Sequence, residues 1–557
     1  MIVKQLKVGI IIDDDQKSYL SDLLIRESEK KGSFKISTFI IQKTPKSSNN
    51  FLQKAAFFLR TRSIKRLVND FSFKLIEVLE EFALNQFTNK LHKSTSSVNT
   101  KNIKKIFVEP KISKSGFVHH FSEKDLLKIR KQGLDVLIRA GSGILKGDIL
   151  NICRFGILSF HHGDNNFFRG GPPGFWEVFL ERDSTGFIIQ KLNEDLDGGK
   201  VLIKGSIGTS FMYFLNREKI FTKSYHFLVS LLENISNNNS LPSEIKTDLT
   251  KSKIYTTPNL LIQIQYLFKT FFRIFKKVIY GLIGITSRWT VGYIFEDDWR
   301  SPPPKKINLI KNPRKRFLAD PIPFEYKGVN FCFVEDYSYT QKKGRIAAYE
   351  INNNSYKSHG VVLDETFHLS FPFIFSNEDG IFMCPETYQS KEIKLYKCLD
   401  FPKKWIFYKT LMKEVSAMDN MIFKKNGKWW LFSNIDSSPL EHEGSELHIF
   451  FSDSFDSCEW TPLDRNPIIF DSLRGRNAGL IIENDKIFRV FQKQGFDRYG
   501  KSFGIAEITN LSEQNYDEKV LDSPNIDFLN KKDAAHTFFH NGKITVFDFA
   551  KNDFFNS

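Results

Sequence analysis

A histidine closing an apolar run, an Arg-Gly pair downstream and an aspartate in a glycine-rich turn are together the parts of an amine acyl transfer. The stretch GILSFHHGDNNFFRGGPPGFWEVFLERDSTGFIIQKLNEDLDGGKVL holds them as His161, Arg169–Gly170 and Asp197. Such a reaction needs a base for the amine proton, a donor for the developing oxyanion and a carboxylate that orients the imidazole. His161 and Asp197 fill the first and last roles. Ser159 lies two residues before His161, so strand alternation puts both on one face, and its hydroxyl can donate a hydrogen bond. Arg169 and Gly170 offer a cation and close backbone approach to an anionic substrate. His162 and Asp164 add polar contacts on that side. Two such residues do not make a metal centre, and no metal is expected.

This stretch resembles the N-terminal domain of the folate-dependent formyltransferases, which act on methionyl-tRNA, glycinamide ribonucleotide or sugar nucleotides. Their pattern is Asn-x-His-Pro-Ser-Leu-Leu-Pro-x-x-Arg-Gly, a Thr-Gly pair, then Leu-Asp-x-Gly. Here the histidine is His161, the Arg-Gly pair is Arg169–Gly170, Thr185–Gly186 follows, and the last element is Leu196-Asp197-Gly198-Gly199. The resemblance covers residues 130–210 and implies 10-formyltetrahydrofolate as the formyl donor. The chain departs from the pattern with Ser159 at the Asn position and His162-Gly163-Asp164-Asn165-Asn166 in place of the apolar loop. In the family that loop borders the folate, so a pterin would be held differently here or not at all.

The second half carries another set of chemical groups. Five segments repeat a β-rich run, a turn and a second β-rich run, with Gly328, Gly380, Gly427, Asp485 and Gly542 in register at the turns. A repeat of about 50 residues fits one four-stranded propeller blade. Asp320 and Asp419 both stand eight residues before a turn glycine, and Glu386 follows its own by six. Arg476 begins the fourth repeat, and His536 is a polar residue inside the last. Carboxylate pairs in a cleft are the equipment of glycoside chemistry. The alternative is that Asp320 and Asp419 are turn residues recurring because blades recur. The segments FLADP, HLSFPFIF, CPET, VSAMDN and KWWLF resemble the propeller domain of plant glucosamine inositolphosphorylceramide transferases and related bacterial proteins, itself similar to furanosidase-type glycosidases. By that resemblance Asp320 would be base or nucleophile, with Asp419 and Glu386 as partners.

The elements that must position these groups read as two modules. LKVGIIIDDD, FKISTFII, Leu134–Arg139 and Gly156–Phe160 are short apolar strands separated by helical spacing, the mark of a parallel sheet covered by helices. Functional residues in such sheets sit past the carboxyl ends of the strands, where HHGDNNFFRGGPPG falls. The expected fold is an α/β formyltransferase-like domain over 1–256, a helical and proline-rich linker over 257–316, and an all-β five-bladed β-propeller over 317–557. The boundary is expected within Trp299–Phe317. Pro258–Ile285 is apolar but interrupted by Lys269, Arg273, Lys276 and Lys277. It reads as an inter-domain helix with buried apolar residues, or as a basic amphipathic helix in peripheral contact with a membrane.

Composition is that of a globular protein, 41% hydrophobic and 26% charged, with a formal net charge of +16. That charge suits anionic partners, but no nucleic-acid reader motif accompanies it. Five cysteines, an odd number with no Cys-x-x-Cys pair, fit buried thiols in a reducing compartment. The expectation is a cytoplasmic, carbohydrate-active protein that acylates, foremost formylates, an amino sugar or sugar nucleotide in surface-glycan biosynthesis. A glycoside-active propeller with a non-formylating first domain and an inactive glycan-binding protein are the alternatives.

Overall fold

The computed structural model describes residues 5–13, 19–43, 62–84, 100, 102–195, 198–246, 253–301, 307–436, 438, 444–521, 529 and 533–554. Asp197 lies outside the described residues, so its expected meeting with His161 does too. The chain forms two compact units. One runs to Thr270 and takes in Ser438, and the other begins at Phe271.

The first unit is built on a seven-stranded sheet. In spatial order its strands are Lys200–Gly208, Ser184–Lys191, Ile157–His161, Val136–Arg139, Leu6–Ile12, Phe34–Gln42 and Lys104–Val108. The last five are parallel, and the first two form an antiparallel edge. The parallel strands are apolar almost throughout because both their faces are covered. Ile11, Ile40, Leu137 and Ile157 pack with Leu126, Ile129, Ile149 and Leu150, while helices Tyr19–Lys31 and Tyr213–Asn238 touch each other and the sheet. Strand order reverses between Leu6–Ile12 and Val136–Arg139, which opens a crevice at their carboxyl ends.

Among the described residues the second unit holds five antiparallel sheets. Four have four strands, and the one beginning at Ala417 carries a fifth, Ile469–Phe470, off the main order. The first-strand hairpins form where the turn chemistry sits. Lys327–Gly328, Asn426–Gly427 and Asn484–Asp485 all have positive φ at both positions, the mirror-image turn whose twist matches a hairpin. Inner strands Arg316–Tyr326, Ser370–Asn377, Ala417–Lys425, Asn477–Glu483 and Phe538–His540 touch in cyclic order, the last meeting the first.

Strand Ile285–Phe295 pairs along its whole length with Ile544–Phe554, and Asn308–Ile310 pairs with the former. The division at Thr270 and Phe271 falls earlier than the expected Trp299–Phe317, and within the expected linker Ile285–Phe295 and Asn308–Ile310 are strands. The partner of the former stands at the far end of the chain, so nothing local marks it as a strand. Helix Leu260–Ile283 also differs from its first reading. Of its apolar residues, Leu261, Ile264, Phe271, Phe275, Val278 and Leu282 are exposed rather than buried. Its lysines do not all point to water, because Lys269 pairs with Glu181 and Lys277 with Asp497. The five cysteines are free thiols, three of them buried; Cys458 is exposed and Cys398 half-buried.

Candidate functional site

His161 is the last residue of strand Ile157–His161 rather than the residue after it. Its Nε2 lies 2.8 Å from the Phe168 carbonyl oxygen, which can only accept. Nε2 therefore carries the proton, and in the neutral ring Nδ1 is the basic nitrogen. Ser159 shares a sheet face with His161, and both line a cavity of about 370 Å³. In register on the flanking strands stand Arg139 and Gln190. Arg139 Nη1 donates to Ser159 Oγ at 3.2 Å and its Nε to the Gly143 carbonyl at 2.8 Å. Gln190 is buried in the same wall with its Oε1 unpartnered. Three strands thus present a guanidinium, a hydroxyl and an amide in one row beside an imidazole, the Ser159 hydroxyl donating to the Phe160 carbonyl at 3.4 Å. Sequence reading missed Arg139 and Gln190. Their signal is a polar residue ending or interrupting a buried strand, and their common row exists only once register is known.

A second cavity of about 300 Å³ lies where the strand order reverses. Tyr19, Arg139, Phe160, His162, Phe221 and Tyr225 line it, so Arg139, Phe160 and His162 belong to both cavities. His162 stacks on Phe160 at 5.4 Å and its Nε2 lies 2.9 Å from Ser224 Oγ. Burial pushes its pKa down to about 3, so it is a neutral aromatic wall rather than a cation.

The remaining residues expected on the substrate side divide. Asp164 pairs with Lys204 at 2.8 Å and accepts the Asn166 amide, contacts that shape the loop. Gly186 is what admits that loop, since a Cβ there would come within 2.9 Å of Asp164. Arg169 and Gly170 lie on strand Phe168–Gly170, paired with Lys253–Tyr255. Gly170 has φ +86° and a Cβ would sit 2.2 Å from the Tyr255 carbonyl, so no other residue fits. They border a small recess shared with His161, His162 and Glu177. Glu177, also missed from the sequence, is buried with Oε1 unpartnered, and burial pushes it up to about 7.

In the second unit the five expected residues assemble. Asp320 and Asp419 each occupy a bulge of an inner strand with φ of +49° and +47°, and Phe371 does so at +42°. A non-glycine residue held there costs about 1–3 kcal/mol and needs fixing by its surroundings. The fixing is a repeated amide link to the neighbouring sheet. Asp320 N donates to Asp548 Oδ2 at 3.0 Å, Phe371 N to Asp320 Oδ2 at 3.2 Å and Asp419 N to Glu386 Oε2 at 3.3 Å. Asn477 N donates to Asn434 Oδ1 in the same manner at 2.8 Å.

Arg476 closes one half of this cluster, with Nε 2.6 Å from Asp419 and Nη2 3.8 Å from Glu386. His536 closes the other, with Nδ1 2.7 Å from Asp548 and Nε2 3.5 Å from Asp320, while Trp289 stacks on its ring at 3.9 Å. Burial works against its charge, yet Asp548 and Asp320 raise its pKa above the ordinary value. The ligand atoms of Asp320, His536 and Asp548 lie within 4.8 Å of one another. All three are buried, and His536 bridges the two carboxylates through its two ring nitrogens. Asp548 and Glu335 were missed. Asp548 is the single acid of the apolar run TVFDFA and Glu335 stands beside Asp336 in FCFVED, and a buried acid in such a run is the signal.

Burial pushes Asp320 up to about 6, and burial together with neighbouring acids lifts Glu335 and Glu386 well above the carboxylate range. The sign follows. Between the ordinary Asp value and about 6, the folded state binds the extra proton, so stability falls as pH rises through that window. For Asp320 the fall is about 2–3 kcal/mol. Asp320→Asn is expected to flatten the slope of unfolding free energy between about pH 4 and 6, measured by urea titration at successive pH values.

The family "Glucosamine inositolphosphorylceramide transferase 1, N-terminal" matches residues 309–554. Glucosamine inositolphosphorylceramide transferase 1 of Oryza sativa subsp. japonica and that of Arabidopsis thaliana are each 31% identical over 207 residues. The match covers 36% of this chain and 27% of each relative, so the chain matches about a quarter of the length of these curated relatives. Among solved structures, an α-L-arabinanase of Cellvibrio cellulosa is similar over 36% of this chain and 77% of its own, at 13% identity and a TM-score of 0.29. Phosphoribosylglycinamide formyltransferase from Bacillus halodurans is similar over 42% of this chain and 97% of its own, at 14% identity and a TM-score of 0.28. A sugar N-formyltransferase from Shewanella is similar over 48% and 87%, at 14% identity and a TM-score of 0.28.

Proposed function

We propose that the protein is a transferase of glycan assembly. Its first unit, formyltransferase-like, moves an acyl group, foremost formyl, onto an amino sugar carried on phosphate. Its second unit is a five-bladed propeller that holds the glycan. The observation that carries this reading is the row Arg139–Ser159–Gln190 beside His161, in one cavity at the carboxyl edge of the sheet. The amine attacks an acyl carbonyl, the row donates to the oxygen as it becomes negative, and His161 Nδ1 takes the proton the amine loses; the bond between the acyl carbon and its carrier then breaks, and that proton passes to the departing carrier atom. Arg139 also suits the phosphate of a sugar nucleotide or of an inositol-phosphate glycan.

The aromatic wall of Phe160, His162, Phe221 and Tyr225 fits a flat heteroaromatic ring such as a pterin. 10-Formyltetrahydrofolate, when bound, would supply the formyl group. The propeller is assigned to holding rather than cleaving, because Asp320 and Glu386 link sheets and Asp419 is neutralised by Arg476. The test is mass spectrometry of nucleotide-linked amino sugars incubated with the protein and 10-formyltetrahydrofolate. Gain of one formyl group on the amine supports the reading. No acylated product from formyl or acetyl donors overturns it.

A further inference from the structure

Helix Leu260–Ile283 leaves a broad apolar surface open. Leu261, Ile264, Leu267, Phe271, Phe275, Val278 and Leu282 are 45–77% exposed. At 100° per residue they fall in one arc of about 120°, wider than the seam of a coiled coil. The opposite side holds Lys269, Arg273 and Lys276, and the helix contains no Asp or Glu. Its start is anchored in the first unit: Gln263 donates to the Asn69 carbonyl, and Tyr266 donates to the buried Glu80. Those partners belong to helix Ile64–Ala83, which has an apolar row of its own. Ile64, Val68, Phe71, Leu75, Leu79 and Phe82 are 46–82% exposed and recur every three to four residues. Lys65 and Lys74 border that row on either side.

We propose that each of these two helices docks on a lipid surface, with its apolar row in the acyl boundary. Three observations select a membrane over a second copy of the chain. The exposed arc is wide enough to immerse, where a helix–helix seam would be narrow. A second copy docked through helix Leu260–Ile283 would set that acid-free basic helix against its own copy, whereas lipid phosphates complement its charge; helix Ile64–Ala83, with acids as well as bases, adds apolar surface and not net positive charge. Among the described residues no helix is long and apolar enough to cross a membrane, so the apolar surface lies in its plane.

The experiment is flotation of the full chain with phosphatidylcholine vesicles, with and without phosphatidylserine, alongside light scattering in lipid-free buffer. The wild type is expected to float, and more so with phosphatidylserine. Phe271→Glu/Phe275→Glu and Phe71→Glu/Leu75→Glu are each expected to lower the bound fraction tenfold or more. All four positions are exposed, and an unchanged unfolding midpoint checks that each variant folds. Absence of flotation, or flotation that neither variant alters, overturns the proposal. So does a dimer in lipid-free buffer that either variant splits into monomers, which would make a second copy the occupant.

Discussion

Arg476→Met is expected to lower the stability of the second unit by about 3–5 kcal/mol, the cost of leaving buried charge without its partner. Arg476 is 7% exposed, and the carboxylates it serves are buried as deeply, Asp419 at 2% and Glu386 at 4%. Methionine fills similar volume, so the loss reports charge rather than packing. Two accompanying results separate this from general damage. Arg476→Met/Asp419→Asn recovers much of the loss, because the amide needs no counter-ion. The loss also shrinks as pH falls, because removing the arginine raises further the pKa of Glu386, which burial already raises, so that the variant takes up a proton more readily than the wild type. Urea midpoints of the three proteins at neutral and acid pH make the measurement.

His161→Ala is expected to reduce acyl transfer about a thousandfold, within the range for loss of a positioned general base. Removing the ring also frees the Phe168 carbonyl that its Nε2 holds, so His161→Gln, which can keep a donor near that oxygen, serves as the control for loop geometry. Both variants are expected to lose activity while retaining the fold. Ser159→Asn is expected to retain or raise activity, since a side-chain amide keeps a donor in the row between Arg139 and Gln190. The readout is initial rate of acylated amino sugar under saturating donor. An active His161→Ala protein would remove the imidazole from the mechanism.

These outcomes bear on how far the chain could be read before its structure. The strand ending at His161 was legible because a short apolar run stopped by polar residues has few other fates in an α/β pattern. The hairpins at Gly328 and Gly427 were legible because a turn with two positive-φ positions needs specific residues. What stayed hidden depended on pairing across distance. Arg139, Ser159 and Gln190 are neighbours by register alone, and register follows from strand order. Asp548 shows the same limit: its carboxylate receives the amide of Asp320 from the other end of the unit. The bulges at Asp320 and Asp419 were visible only as recurring aspartates. What recurs with the bulges, the one at Phe371 included, is an acidic acceptor on the neighbouring sheet that receives the bulge amide.

The pairing of Ile285–Phe295 with Ile544–Phe554 has a consequence for synthesis. During translation the earlier strand emerges long before its partner exists, and it waits as an open edge able to template wrong association. The ring of sheets closes only when the last strand has left the ribosome. A chain stopped short of Ile544 by a premature termination or a frameshift would keep that edge permanently unpaired. Completion of the unit therefore doubles as a length check: only a chain translated past Ala550 can cover the buried stretch of its first strand, and shorter products are left in the state that proteases and chaperones recognise.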